Sequence, residues 1–229
     1  MYKVKFYKGD YDQRQYQANA DGAVAYIEQH FNSSESASPD YSVVIVGSNA
    51  SNTSRNWGRW YAAAVAKEFN TQVKGDNGIV VGGYDGRGDG NLKLTKMPAV
   101  LLEPLFASNY LQADIIRSDS GQNRLAQILV DSIKRFFPDG GLIAFSVGHK
   151  YKIKNPDDRG ASLNGGGFEA DYAEMVLRKA EELITEVTSI ETERAIKIFK
   201  NDTLILNQVV DEDATVTWDG SRGILRINE

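Results

Sequence analysis

The chain of 229 residues carries 26 Lys and Arg against 31 Asp and Glu, a formal net charge of −5, with two His and no Cys. Hydrophobic residues make up 41% and charged residues 25%, the balance of a chain that buries a core, which excludes a disordered protein. The absence of Cys excludes disulfides, thiolate metal sites and cysteine nucleophiles, and an acidic chain without a basic cluster is not a general nucleic-acid binder.

The opening MYKVKFYKGDYDQ reads as an amphipathic strand and lacks the continuous apolar core of a secretory signal. No run of about 18 apolar residues offers a membrane span. Short apolar runs bounded by Gly, Pro, Asp or Asn predict strands over Val4–Tyr7, Ala23–Ile27, Tyr41–Val46, Ile79–Val81, Ala99–Leu102 and Leu142–Val147. Helical spacing joins Trp57, Trp60, Tyr61, Ala64, Val65 and Phe69, then Leu125, Ile128, Leu129, Ile133 and Phe136, and finally Tyr172, Val176, Ala180, Leu183 and Val187. Strands alternating with helices of this length predict an α/β fold, a twisted, mostly parallel sheet with helices on both faces. The stretch from Lys74 to Lys96 holds seven Gly and reads as a loop or hairpin. Its Arg87-Gly88-Asp89 spells a cell-adhesion tripeptide, although a Gly-flanked charged turn is the plainer reading. After about Thr188 the pattern becomes AIKIF, TLILNQVV, ATVTW and GILRI, with turns at Asn201-Asp202 and Asp219-Gly220. This divides the chain into a main domain over 1–188 and a small β-meander over 189–229, too short to stand without packing on the main domain.

Parallel α/β sheets place functional residues beyond the carboxyl ends of their strands. Both histidines occupy such positions: His149 follows Leu142–Val147 and a Gly, and His30 follows the second strand in AVAYIEQHFN, while Glu103 ends PAVLLE. Histidine is the commonest zinc ligand, and a catalytic zinc takes about three protein ligands and a water. Without Cys the third ligand must be Asp or Glu, and a Gly-rich loop after His149 delivers Glu169 to the first turn of an amphipathic helix. The helix dipole also favours a first-turn Glu for purely structural reasons.

These residues resemble the zinc-dependent N-acetylmuramoyl-L-alanine amidases of the amidase-3 type. Gly148-His149, then Arg159-Gly160-Ala161, then Glu169 opening a helix is similar to that family's GHGG-like turn, "pGA" and ligand Glu. TKMPAVLLEPLFASN, Thr95–Asn109, resembles its "tKMPAVLvElGFlSN" and is the most specific match. RQYQANADGAVAYIEQHFNS, Arg14–Ser33, resembles its "R...AN...ADlfiSIHaNa". The order departs from the family, whose GH…E unit comes first, so the chain resembles a circular permutant; exposed connections tolerate such cuts when the old termini lie close. Glu28 and Gln29 replace the residues the family carries before its His, and GHKYK replaces GHGG. A rival register puts VGSNAS, 46–51, on "HaNa" and leaves Gly47 at the ligand position with no zinc site. His30 is preferred because Arg14 and Ala18-Asn19 precede it at suitable spacing, and Glu28, two residues earlier on the same strand face, is a candidate partner for it.

The resemblance implies a zinc hydrolase that cuts the N-acetylmuramoyl-L-alanine amide of peptidoglycan, with Zn2+ on His30, His149 and Glu169 and Glu103 as acid and base. It implies peptidoglycan as partner; the lack of an apolar span argues against membrane insertion, and the missing signal, compact domain and small added tail fit a phage-type lysin, cytoplasmic until released to the wall, or a protein secreted with its signal trimmed. The tail then packs on the main domain or binds wall. The alternatives are an amidase-like binding module without zinc and a zinc carboxypeptidase.

Overall fold

The computed structural model describes residues 1–190, 194–200, 203–210, 215–219 and 224–228, with side chains over 1–185. The elements run β1 (Tyr2–Tyr7), α1 (Tyr11–Ala20), β2 (Ala25–Gln29), β3 (Tyr41–Val46), α2 (Asn52–Phe69), β4 (Gln72–Val73), β5 (Ile79–Val81), β6 (Gly83–Tyr84), β7 (Arg87–Gly88), β8 (Ala99–Glu103), α3 (Tyr110–Arg117), α4 (Asp119–Phe136), β9 (Gly141–Val147) and α5 (Glu169–Ile190). Four short strands follow: β10 (Arg194–Lys200), β11 (Thr203–Val210), β12 (Thr215–Asp219) and β13 (Ile224–Asn228).

Seven strands form one sheet in the order β1-β9-β2-β8-β3-β4, with β5 also on β3. β1, β9, β2 and β8 are mutually parallel, so the ends of β2, β8 and β9 share one edge. β3 reverses direction, with Val43 opposite Glu103 and Ile45 opposite Leu101. Its connection from β2, residues 30–40, contains no helix, so the chain re-enters the sheet at the edge it left. The expected mostly parallel sheet is therefore present, with one antiparallel pairing that periodicity alone does not reveal.

Alternation along each strand covers both faces. On one, Tyr7, Tyr26, Ile45, Leu101 and Ala144 cluster with Ala18 of α1. On the other, α2 lies so close that a Cβ on Gly58 would sit 2.8 Å from Ile79 and 3.1 Å from Val44. Trp57 of α2 is fully buried, and its indole N–H donates to Ser132 Oγ of α4 at 2.9 Å. Among the described residues no helix is long and apolar enough to cross a membrane.

The chain divides into Met1–Leu183 and Ile184–Glu229. In the second unit β10 pairs antiparallel with β11 and β12 with β13. The expected turn at Asn201-Asp202, Gly220 of the second turn, and whatever the tail's side chains meet lie outside the described residues.

Two helices escape the sequence reading. α1 buries Arg14, Gln15 and Ala18, so it shows no apolar stripe, and α3 spans only 8 residues and leaves Tyr110 and Leu111 exposed. The Arg14 guanidinium, fully buried, donates to Gly9 O at 2.7 Å, Ser146 Oγ at 2.9 Å, Val147 O at 2.7 Å and Lys150 O. It thereby clamps α1 to the chain leaving β9. Arg14→Met would strand three carbonyls and remove a buried cation, so the unfolding free energy should fall by about 3–5 kcal/mol, the cost of breaking a buried charge network. Denaturant midpoints at constant slope measure this; a loss below about 1 kcal/mol would make the clamp peripheral.

Candidate metal centre and active site

His30 leaves β2, where its backbone N–H donates to Leu102 O at 3.0 Å. His149 leaves the neighbouring β9, and Gly148 N–H donates to Gln29 O at 2.9 Å, which draws the two histidines together. Their rings stand edge to face with centroids 4.9 Å apart. His149 has φ +63, a left-handed backbone that non-glycine residues adopt only where the surroundings enforce it. The Arg14 bonds to Val147 O and Lys150 O on either side supply that enforcement.

Glu169 begins α5 and is turned inward by the loop before it. Glu169 N–H donates to Ala161 O at 2.9 Å and Ala170 N–H to Arg159 O at 3.1 Å, while Ala161 N–H donates to Glu169 Oε2 at 3.0 Å. Its Oε1 lies 2.8 Å from His30 Nδ1 and 3.4 Å from His149 Nε2. Donor atoms of His30, His149 and Glu169 all fall within 4.8 Å of one another.

The far side of each imidazole is also engaged. His30 Nε2 lies 2.8 Å from Glu28 Oε1, and His149 Nδ1 lies 3.0 Å from both oxygens of Asp158. A carboxylate behind each ring fixes which nitrogen faces the centre, as metal-ligating histidines require. The inward set is therefore His30 Nδ1, His149 Nε2 and a Glu169 oxygen. Two imidazoles and a carboxylate suit zinc, and the three residues could hold a divalent metal. Glu28 is legible in the sequence from its i, i+2 position before His30. Asp158 is not, since nothing in NPDDRG separates it from Asp157.

Charge follows from this packing. Burial alone would lower the His30 pKa, but hydrogen bonds and charges from Glu169 and Glu28 outweigh it and raise the pKa well above the ordinary value. Burial would raise Glu169, yet hydrogen bonds and charges from His149 and His30 hold it well below the usual range. Glu28 is likewise fully enclosed, and His30, Arg14 and Asn91 keep it low.

Glu103 closes β8 at the same edge. Its Oε2 is buried without a hydrogen-bond partner among the described residues, and burial, reinforced by the charges of Glu169 and Glu28 and opposed by that of His30, raises its pKa to about 8. Glu103, His30, His149 and Glu169 line one cleft of about 540 Å³. The four sequence-derived positions thus meet in one place. Gly47 follows the antiparallel β3 and so lies at the opposite end of the strands, beside Pro98 and Ala99 at the start of β8, so the rival register leads away from the cleft. In the Arg87-Gly88-Asp89 tripeptide, Asp89, its side chain 16% exposed, accepts from Ser48 N–H at 2.7 Å, and Arg87 lines the cleft.

Two glycines make room for the centre. A Cβ on Gly148 would lie 2.4–2.5 Å from the His30 ring, and one on Gly160 would lie 2.5 Å from Glu169 Oε2. Gly148→Ala should therefore displace His30 and weaken divalent-metal affinity about 10–100-fold with the circular dichroism spectrum unchanged. Competition with a chelator measures the affinity, and a parental value would show the ring to be free to shift.

With this geometry in hand, comparison with known proteins places the chain. A family model described as N-acetylmuramoyl-L-alanine amidase, Amidase_3, matches residues 2–135. No curated protein matches. Among solved structures, the catalytic domain of CwlV, an N-acetylmuramoyl-L-alanine amidase from Bacillus (Paenibacillus) polymyxa var. colistinus, is 27% identical over 56% of this chain and 66% of its own, with TM-score 0.47. The N-acetylmuramoyl-L-alanine amidase of Clostridium difficile 630 is 19% identical over 58% and 67%, with TM-score 0.49. Ami1, the N-acetylmuramyl-L-alanine amidase of Mycobacterium smegmatis, is 19% identical over 56% and 60%, with TM-score 0.42. The aligned region thus spans about two thirds or less of each of those chains. Because the family model covers more than half of the sequence, the chain belongs to the N-acetylmuramoyl-L-alanine amidase family Amidase_3.

Proposed function

We propose that this protein is a zinc-dependent amidase that hydrolyses the bond between the lactyl group of N-acetylmuramic acid and L-alanine in peptidoglycan. The observation that carries the reading is the convergence of two carboxylate-backed imidazoles and Glu169 beside an unpartnered Glu103. Zinc held by His30, His149 and Glu169 supplies Lewis acidity toward a water and the scissile carbonyl. Glu103 accepts the water's proton and returns it to the leaving nitrogen, since an amide nitrogen departs poorly unless protonated. Burial suits it to both halves of that task by raising its pKa toward neutrality. Its place outside the three-donor cluster keeps metal coordination from competing for its lone pairs.

The chain order supports a circular permutation. The family match ends at 135, before His149 and Glu169. The late strand β9 nevertheless sits between β1 and β2, parallel to both. Met1 lies against its start, where Gly141 N–H donates to Met1 O at 3.0 Å. Residues 1–188 form the catalytic part in this reading and 189–229 a tail that packs on it or grips wall. A chain of this kind acts as a phage-type lysin on wall material.

Digestion of purified cell walls tests the reading. New L-alanine amino termini support it, release of C-terminal residues indicates a carboxypeptidase, and no release indicates a binding module. Glu103→Gln keeps size and removes basicity, so it should retain the metal and the fold while cutting turnover about 10²–10⁴-fold. A variant with the parental rate would overturn the assigned role of Glu103.

A further inference from the structure

Cleft and wall chemistry meet at a feature the catalytic account leaves unused. β6 and β7 form a hairpin, Gly83 opposite Gly88 and Tyr84 opposite Arg87, turned by Asp85 and Gly86 at φ +51 and +78. Positive φ at both central residues is the mark of a tight hairpin turn that matches strand twist. The hairpin is held closely: a Cβ on Gly83 would meet Arg87 O, and one on Gly88 would lie 2.9 Å from Ile45 Cδ1. Asp89, which follows, is fastened to Ser48 N–H. Arg87 is therefore presented from a fixed ribbon, and it is exposed.

Two cations line the cleft, Arg87 and Lys152. Lys152 is bound by Asp158 at 2.6 Å. Arg87 has no carboxylate partner among the described residues. It also stands on a definite side. Gly88, its neighbour, packs against Ile45 and Leu101, and Leu101 lies two residues before Glu103 on β8, so the hairpin flanks the acid proposed to protonate the leaving nitrogen. The far wall, with Tyr11 and Lys152, flanks His149.

Resting on the amidase reading above, we propose that Arg87 binds a carboxylate of the peptide stem and selects stems whose residue after L-alanine keeps that carboxylate free. The leaving group is the peptide, and it departs past Glu103, on the hairpin side. The muramoyl half is uncharged at its acylated lactyl group, so a lone guanidinium there would have nothing to pair with. On the peptide side the next residue lies about 3.8 Å further along the chain, where a planar fork of N–H donors pairs well with a carboxylate.

Two ligands test this: N-acetylmuramoyl-L-alanyl-D-glutamic acid with its γ-carboxyl blocked as the methylamide and its α-carboxylate free, and the same compound with the α-carboxyl also blocked as the amide. The parent should favour the acid about tenfold in kcat/KM. The Glu103→Gln protein, titrated calorimetrically so that turnover does not intervene, should show the same preference in Kd. Arg87→Gln should bring both ratios near one, and Arg87→Lys should restore part of each. Equal cleavage of the two ligands by the parent would overturn the role of Arg87 while leaving the amidase reading intact. Absence of cleavage would count against the amidase reading, and the Kd ratio then decides the role of Arg87 alone. A preference that persists in Arg87→Gln, or no binding of either ligand, overturns the proposal.

Discussion

His30 is an imidazole 6% exposed, held between Glu28 on one nitrogen and Glu169 on the other. Neither carboxylate could be buried alone, because an enclosed charge without a partner costs several kcal/mol. The ring satisfies both, and Arg14 adds charge to Glu28 while Ser146 Oγ donates to that carboxylate at 2.9 Å. The bonds run from α1 through the ends of β2 and β9 to the start of α5. Two segments near the start of the chain and two more than a hundred residues later are thus fixed by one polar network, which is satisfied when they meet.

The same constraint accounts for the glycines and for the strained backbone. Gly148 must lack a side chain because the His30 ring occupies the place of its Cβ, and Gly160 because Glu169 and His149 do. His149 accepts a left-handed backbone so that its Nε2 turns toward Glu169 while Asp158 holds its Nδ1. Chain order matters little to such an arrangement. A sheet assembles by register between neighbours, so a strand that arrives late occupies a central position when its faces and edges fit there, as β9 does between β1 and β2.

Where chemistry sat at strand ends, it was legible in the sequence. His30, His149 and Glu103 each follow an apolar run, and Glu169 opens a helix with a strong apolar stripe, so their types and positions were readable from pattern. The second strand was read as Ala23–Ile27 and is Ala25–Gln29, because Glu28 and Gln29 are polar yet wholly buried and polarity marks a strand end in a sequence. α1 was invisible for the related reason that its buried face is Arg14, Gln15 and Ala18. Asp158 and Asn91 join the centre through contacts nine residues or more along the chain, which spacing does not encode. The reversal of β3 depends on a connection whose path only the folded chain shows.

In the proposed function His30 and Glu169, 139 positions apart, share one metal ion with His149. A crystal structure of the zinc-loaded protein, with data collected on both sides of the zinc absorption edge, tests it most directly. One anomalous peak per chain is expected, bonded to His30 Nδ1, His149 Nε2 and Glu169, with Glu103 outside the coordination sphere. A peak elsewhere, a centre that includes Glu103 and omits His30, or no peak in the cleft would contradict it.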